Sequence, residues 1–311
     1  MDTPRSESRG LEDPSARTLR AGELEAVFLP GRGMLGASLR HRGIELLRRV
    51  GDLAGAAASG TTAGIPLLYP WANRLDGFRY RSGGRDVELD ASSPLLHRDR
   101  NGLPIHGVPW SMLAWDVTQA TAAGIAAQLD WTRRDLLAIF PFGHRLELGV
   151  RLTDDALTLE TTLVAGNEAA VPVSFGFHPY VGLPGLARDA WRLRLPPMRR
   201  LTLDARGIPT GEQAPFKGQD AQLAGLEFDD AFSVQDEAAT LAIAGAGRRI
   251  SVEFVEGYRY AQVYAPKGED CIALEPMTAP TNALVSGRAL RRVEPGERFR
   301  AVFRIRVEAT R

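Results

Sequence analysis

His178 sits in SFGFHPYVG (residues 174–182), between aromatic residues and directly before a proline. These surroundings exclude water and restrict the backbone that follows, which suits a general acid titrating near neutral pH. They suit a buried histidine satisfied by a carbonyl equally well. Glu275 closes an apolar run in CIALEPMTAPTNAL and precedes Pro276, which delivers its carboxylate at a strand end rather than on a charged surface. A carboxylate so placed is desolvated, and its pKa rises toward the range a general base needs.

Other polar residues are candidates for holding a ligand. His106 in NGLPIHGVPW is flanked by Pro104, Gly107 and Pro109, a constrained loop whose backbone can approach a ligand closely. A turn histidine with its hydrogen bond satisfied is the alternative. GIPLLYPWANRLDGFRY sets Asn73 and Arg74 just after Trp71, and GLEFDDAFSV sets Asp229 and Asp230 between Phe228 and Phe232. Each alone is a weak signal, because an arginine can simply stack on a tryptophan and paired aspartates commonly fill turns. His41 and His97 lie among arginines at expected turns and read as solvated surface residues; His144 leads into an alternating strand and reads as structural.

The elements that must position these groups are strands. In DALTLETTLVAG, Leu157, Leu159, Thr161 and Leu163 fall on one side and Thr158, Glu160 and Thr162 on the other, a period of two. ERFRAVFRIRVEA repeats the pattern, with Phe299, Ala301, Phe303, Ile305 and Val307 facing in and Arg298, Arg300, Arg304 and Arg306 facing out. RLELGVRLT, DAWRLRLP, RRISVEFVEG and YRYAQVYAP alternate similarly between Gly, Pro and Asp punctuation. No long helix is expected. AASGTTAGI and VAGNEAAV allow short helical turns, and GRGMLG, which lacks the spacing of a nucleotide-binding loop, reads as a turn. Strands at this spacing predict an all-β sandwich or barrel. Residues 1–17 read as a loose polar tail and residues 18–311 as one continuous domain.

The chain of 311 residues balances 38 basic against 38 acidic side chains, so no long-range field gathers nucleic acid or an anionic membrane. Neither partner is expected. The single cysteine, Cys271, allows no internal disulfide, and with five scattered histidines it supplies no usual zinc set, so no metal is expected. It reads as a small buried hydrophobe in a reducing compartment. No secretory signal and no run of about 20 apolar residues occurs, which predicts a cytoplasmic protein.

Taken together, PLLYPWANRLDGFRY, IHGVPW, FGFHPY, FDDAF and LEPMTAPTNAL resemble, in order, the motifs of the aldose 1-epimerase family, the galactose mutarotases. The resemblance runs from about residue 20 to 308. It implies a galactose mutarotase-like β-sandwich of large twisted antiparallel sheets, with a free sugar held in a shallow cleft and no cofactor. Carried over by position, it implies Glu275 as general base and His178 as general acid. His106 becomes a second histidine near the sugar ring, and Arg74, Asn73 and Asp229 contact the substrate, Asp229 being preferred to Asp230 because the family's aspartate comes first. Ala72, where many members carry a second proline, and Val181, where phenylalanine is common, depart from the pattern and bear on the cleft walls. The alternatives are a hexose 6-phosphate mutarotase, with Arg79 and the Arg98 to Arg100 stretch as cations for the phosphate, and a non-catalytic carbohydrate-binding protein of the same fold. A glycosidase would need two carboxylates, such as Asp229 and Glu275, and would leave the histidines without a role. The oligomeric expectation is a monomer or homodimer.

Overall fold

Alternation along the strand Arg298–Ala309 decides how the chain packs. Phe299, Ala301, Phe303, Ile305 and Val307 are all buried on one side, as a period of two requires. Its two neighbours, Ala156–Ala165 and Arg248–Glu256, add Leu157, Leu159 and Leu163 and Ile250, Val252 and Phe254 to the same core. Each such side chain stabilises the fold by about 1.5–3 kcal/mol when buried, so slipping one strand by a residue would cost several times that amount. Core burial therefore fixes register, and register fixes which side chains face the other way.

The computed structural model describes residues 13–48, 62–234 and 238–310. Their strands form a β-sandwich built on two large antiparallel sheets. The back sheet has nine strands, in the order Gln219–Gln222, Arg192–Leu195, Thr240–Gly245, Arg248–Glu256, Arg298–Ala309, Ala156–Ala165, His144–Leu152, Gly124–Trp131 and Asp116–Ala120. The cradle sheet has eight. Seven run in the order Pro209–Phe216, Met198–Leu203, Phe228–Ser233, Tyr260–Ala265, Ile272–Met277, Gly176–Phe177 and Leu67–Leu68, and Tyr180–Val181 also pairs with Ile272–Met277. A four-stranded sheet from Arg17 to Glu45 completes the main framework.

The cradle sheet separates two environments. Phe228, Phe232, Ala261, Val263, Ile272 and Leu274 enter the main core, so Asp229, Gln262, Tyr264 and Glu275 project from the opposite face.

Several local expectations change. Glu275 lies inside a strand that continues through Pro276 to Met277, rather than at its end. Pro276 is accommodated there opposite Ala261. The segment VAGNEAAV leaves its strand at Ala165 and forms bends, not a helical turn, while AASGTTAGI falls up to residue 61 outside the described residues. Of the expected tail, residues 1–12 also lie outside them; Asp13 is tied to Arg32 at 2.6 Å, and the first strand begins at Arg17. Among the described residues no helix is long and apolar enough to cross a membrane.

His41 is buried rather than solvated, because Arg248 donates to its Nδ1 at 3.2 Å and joins it to the back sheet. His97 is half-buried. His144 is structural: its Nδ1 lies 2.6 Å from the Phe142 carbonyl, its Nε2 meets the Tyr69 hydroxyl, and its ring stacks on Trp131. Burial lowers its pKa to about 4. Below ~6.5 the unfolded chain takes up a proton that folded His144 refuses, so stability is lost as pH falls toward 4. Replacing His144 with phenylalanine is therefore expected to shrink the stability difference between pH 7 and pH 5 by about 2 kcal/mol. Urea denaturation at the two pH values measures it; an unchanged difference contradicts the assignment.

Candidate active site

Pairing across three neighbouring strands brings the polar side chains together. Gln262 lies directly opposite Glu275, Asp229 opposite Tyr264, and Tyr180 opposite Ala273. Directly paired residues share a face, so Asp229, Gln262, Tyr264, Glu275 and Tyr180 line one cavity of about 190 Å³. Asp230 points to the other side, where it pairs with Arg200 at 3.4 Å. His178 enters from the two-residue connection between Gly176–Phe177 and Tyr180–Val181, with its backbone N–H donating to the Pro66 carbonyl.

The opposite wall comes from two loops that brace each other. The His106 N–H donates to the Asn73 carbonyl at 2.9 Å, and the Asn73 N–H donates to His106 Nδ1 at 3.2 Å. Both residues have positive φ, 58° for Asn73 and 63° for His106. Asparagine adopts this region readily; histidine does so at some cost, which the surrounding contacts must offset. Next to it Gly107 is obligatory, since a Cβ there would lie 2.1 Å from the Tyr69 carbonyl oxygen. Arg74 runs along this wall, its Nε donating to Asp99 at 2.6 Å and its Nη1 to the Asn73 side-chain oxygen at 3.0 Å. No stacking on Trp71 is involved: that ring is fully buried in the core.

At the centre, His178 Nε2 lies 3.1 Å from Glu275 Oε1. The imidazole stacks on Tyr180, with ring centroids 4.2 Å apart, and meets the His106 ring edge-on at 5.6 Å. The Tyr180 hydroxyl is 3.2 Å from the same Nε2 and 2.5 Å from the Thr62 hydroxyl. Glu275 is 1% exposed and His178 5%. Burial, then the nearby Asp229 carboxylate, pushes Glu275 well above the usual carboxylate range, with Arg74 opposing. Burial pulls His178 down to about 3, partly offset by a backbone hydrogen bond, and Arg48 adds to the lowering. Both shifts favour the uncharged forms. The near-neutral imidazole expected from sequence is thus displaced by the same burial that the aromatic flanks signalled.

Among the described residues, three buried polar atoms of cavity-lining side chains have no hydrogen-bond partner: His178 Nδ1, Glu275 Oε2 and Gln262 Oε1. Buried polar groups are nearly always hydrogen-bonded, so three orphans on side chains that line one small cavity fit a polar ligand there. Among the described residues, no three His, Cys, Asp or Glu side chains converge as a metal-holding group.

All six candidates named from sequence, His178, Glu275, Arg74, Asn73, His106 and Asp229, line the cavity. Gln262, Tyr180, Tyr264 and Ile105 line it too and were not named. Gln262 donates to Asp229 at 2.6 Å. Its signal was present in YRYAQVYAP, where alternation sets it between Tyr260 and Tyr264 on the non-aliphatic side. Ala72 and Val181 do not line the cavity: Ala72 packs with Leu68 and Met277, and Val181 enters the main core, so neither departure alters the walls. Cys271 is buried, and burial raises its thiol to about 11.

Two large antiparallel sheets packed as a sandwich are the fold of galactose mutarotase-like proteins. A galactose mutarotase-like protein from Clostridium acetobutylicum superposes with a TM-score of 0.81 at 20% identity, over 94% of this chain and 95% of that one. Slr1438 from Synechocystis sp. PCC 6803 superposes at 0.78 with 24% identity, over 99% of each chain. In sequence, the Escherichia coli K12 protein YihR is 25% identical over 256 residues, 77% of both chains. Residues 32–306 match the aldose 1-epimerase family model, and the chain belongs to that family.

The electrostatics of the cavity predict an NMR result. Histidine ring signals followed from pH 8 to pH 5 should show His178 and His106 remaining neutral, since burial lowers both, while an ordinary imidazole titrates near ~6.5. A His178 midpoint near 6.5 contradicts the description.

Proposed function

We propose that this protein interconverts the α and β anomers of a free aldose by acid–base ring opening and reclosure. The observation that carries the reading is the His178–Glu275 pair, 3.1 Å apart in a small cavity lined by hydroxyl-binding side chains. At about 190 Å³, the cavity falls below the roughly 300–1,000 Å³ of sites for drug-sized ligands. Its occupant is a single small polar molecule, as one sugar ring is.

Glu275 as carboxylate takes the C1 hydroxyl proton while His178 as imidazolium protonates the ring oxygen. The bond from C1 to the ring oxygen breaks and leaves an aldehyde. Rotation about the C1–C2 bond exposes the other carbonyl face, and closure returns both protons. The pair then passes between carboxylate with imidazolium and carboxylic acid with neutral imidazole, at constant net charge. Burial favours the second form, which is the one matched to the open-chain sugar. Closed sugar favours the first by bringing its own hydroxyls into the cavity beside Arg74. Arg74, Asn73, Asp229, Gln262 and His106 grip hydroxyls that do not move, so positioning supplies much of the catalysis.

A phosphorylated aldose is less well served. Arg79 is spent on Glu88 at the surface, Arg98 and Arg100 are exposed and do not line the cavity, and Arg74, the single guanidinium lining it among the described residues, already holds Asp99. A non-catalytic sugar binder would have no use for the acid and the base together.

Polarimetry on pure α-glucose, α-galactose and their 6-phosphates tests the reading. Faster decay to equilibrium is expected for at least one free aldose, with the phosphates poorer. Replacing Glu275 with glutamine should cut the rate about 10² to 10⁴-fold while calorimetry still detects sugar binding. Wild-type rates in that variant would remove Glu275 from the chemistry.

A further inference from the structure

We propose that Asp99 is a positioning residue, one carboxylate that sets both the Arg74 side chain and the loop leading to His106. The proposal rests on the reading of the cavity as an aldose site, with Arg74 as a hydroxyl-binding group.

Asp99 does not line the cavity, yet its side chain is only 5% exposed. Its two oxygens are used differently. Oδ2 accepts from Arg74 Nε at 2.6 Å, and Oδ1 accepts the backbone N–H groups of Asn101 at 2.8 Å and Leu103 at 3.0 Å. The second pair closes a tight turn, reinforced by the Asp99 N–H donating to the Leu103 carbonyl. That turn feeds directly into Ile105, which meets Arg74 in an isolated antiparallel bridge, and then into His106. Arg74 and the loop that carries His106, on the same wall of the cavity, are therefore joined through one buried carboxylate 25 residues beyond Arg74.

Arg74 needs such a partner. An unrestrained arginine has many rotamers, and ordering them on sugar binding would weaken affinity. With Nε fixed by Asp99 and Nη1 by Asn73, the guanidinium plane is set before the sugar arrives. Gly207 leaves room beside it, since a Cβ there would lie 3.0 Å from Nη1. Burial alone would raise the Asp99 pKa, but the bonds from Arg74, Leu103 and Asn101 outweigh it and hold the carboxyl below its usual range, ionised and able to accept.

Asp99→Asn separates the two roles. The amide oxygen can still accept from Asn101 and Leu103, whereas its NH₂ would face Arg74 Nε, donor against donor. Arg74→Lys leaves the turn untouched but removes the Nε–H that Asp99 accepts. We expect each variant to raise KM for the best aldose about 10- to 100-fold, with kcat falling further in Arg74→Lys, which alters a group that grips the sugar, than in Asp99→Asn, which does not touch it. Added to Arg74→Ala, Asp99→Asn should raise KM less than about twofold further, because its effect passes through Arg74. A readout free of catalysis is the NMR signal of the Arg74 Nε–H, which should exchange slowly with solvent in the wild type and rapidly in Asp99→Asn. An unchanged KM in Asp99→Asn, losses that multiply with Arg74→Ala, or an Nε–H still protected in Asp99→Asn would overturn the proposal. If no aldose is turned over by the wild type, the functional reading fails and the exchange measurement alone decides the role of Asp99.

Discussion

A carboxyl group and an imidazole 3.1 Å apart, both almost shut off from water, set the terms for everything around them. Neither tolerates a lone charge there, because desolvation penalises the carboxylate and the imidazolium alike. Together they can hold either no charge or a compensated pair. Moving one proton toward the sugar from His178 and one away from it to Glu275 switches between those two states without changing net charge. An exposed pair would lack the desolvation that makes the uncharged form competitive, and a pair buried without a cavity beside it would have nothing to act on. The three unpartnered atoms on side chains that line the cavity are the mark of that compromise.

The fold meets this demand through strand parity. Ile272 and Leu274 bury toward the core, so Glu275 must face away from it, and Gln262, paired directly opposite, must face the same way. Phe228 and Phe232 impose the same choice on Asp229 and send Asp230 to the other side. The aliphatic residues of the cradle sheet thus aim the chemistry, although none of them touches it. The loop wall works differently: Asn73 and His106 hold each other through reciprocal hydrogen bonds, and the Gly107 backbone presses so closely on Tyr69 that no side chain fits.

This division explains what could be read in advance. The alternation in DALTLETTLVAG and ERFRAVFRIRVEA reports burial directly, so the strands and their inward faces were legible. The motif order around Arg74, His106, His178, Asp229 and Glu275 named residues that prove to share one cavity. Gln262 escaped because its importance comes from standing opposite Glu275, and pairing between strands is not written in either strand alone. Asp99 escaped for a related reason: DRNG looks like an exposed turn, and only the fold brings Arg74 to its carboxylate. His41 was misjudged as solvated because its partner, Arg248, lies 207 residues away. The titration of His178 was misplaced because aromatic neighbours reveal burial but not its completeness.

The central claim is that His178 and Glu275 act as one proton-exchanging unit. The most direct test is a double-mutant cycle followed by polarimetry on the α-anomer of the best substrate, using His178→Asn, Glu275→Gln and the double variant. If the pair is one unit, each single change removes most of the rate enhancement and the double variant loses little more than the worse single one. If the two losses multiply, the groups act independently, and coupled transfer of the two protons is not the basis of the mechanism.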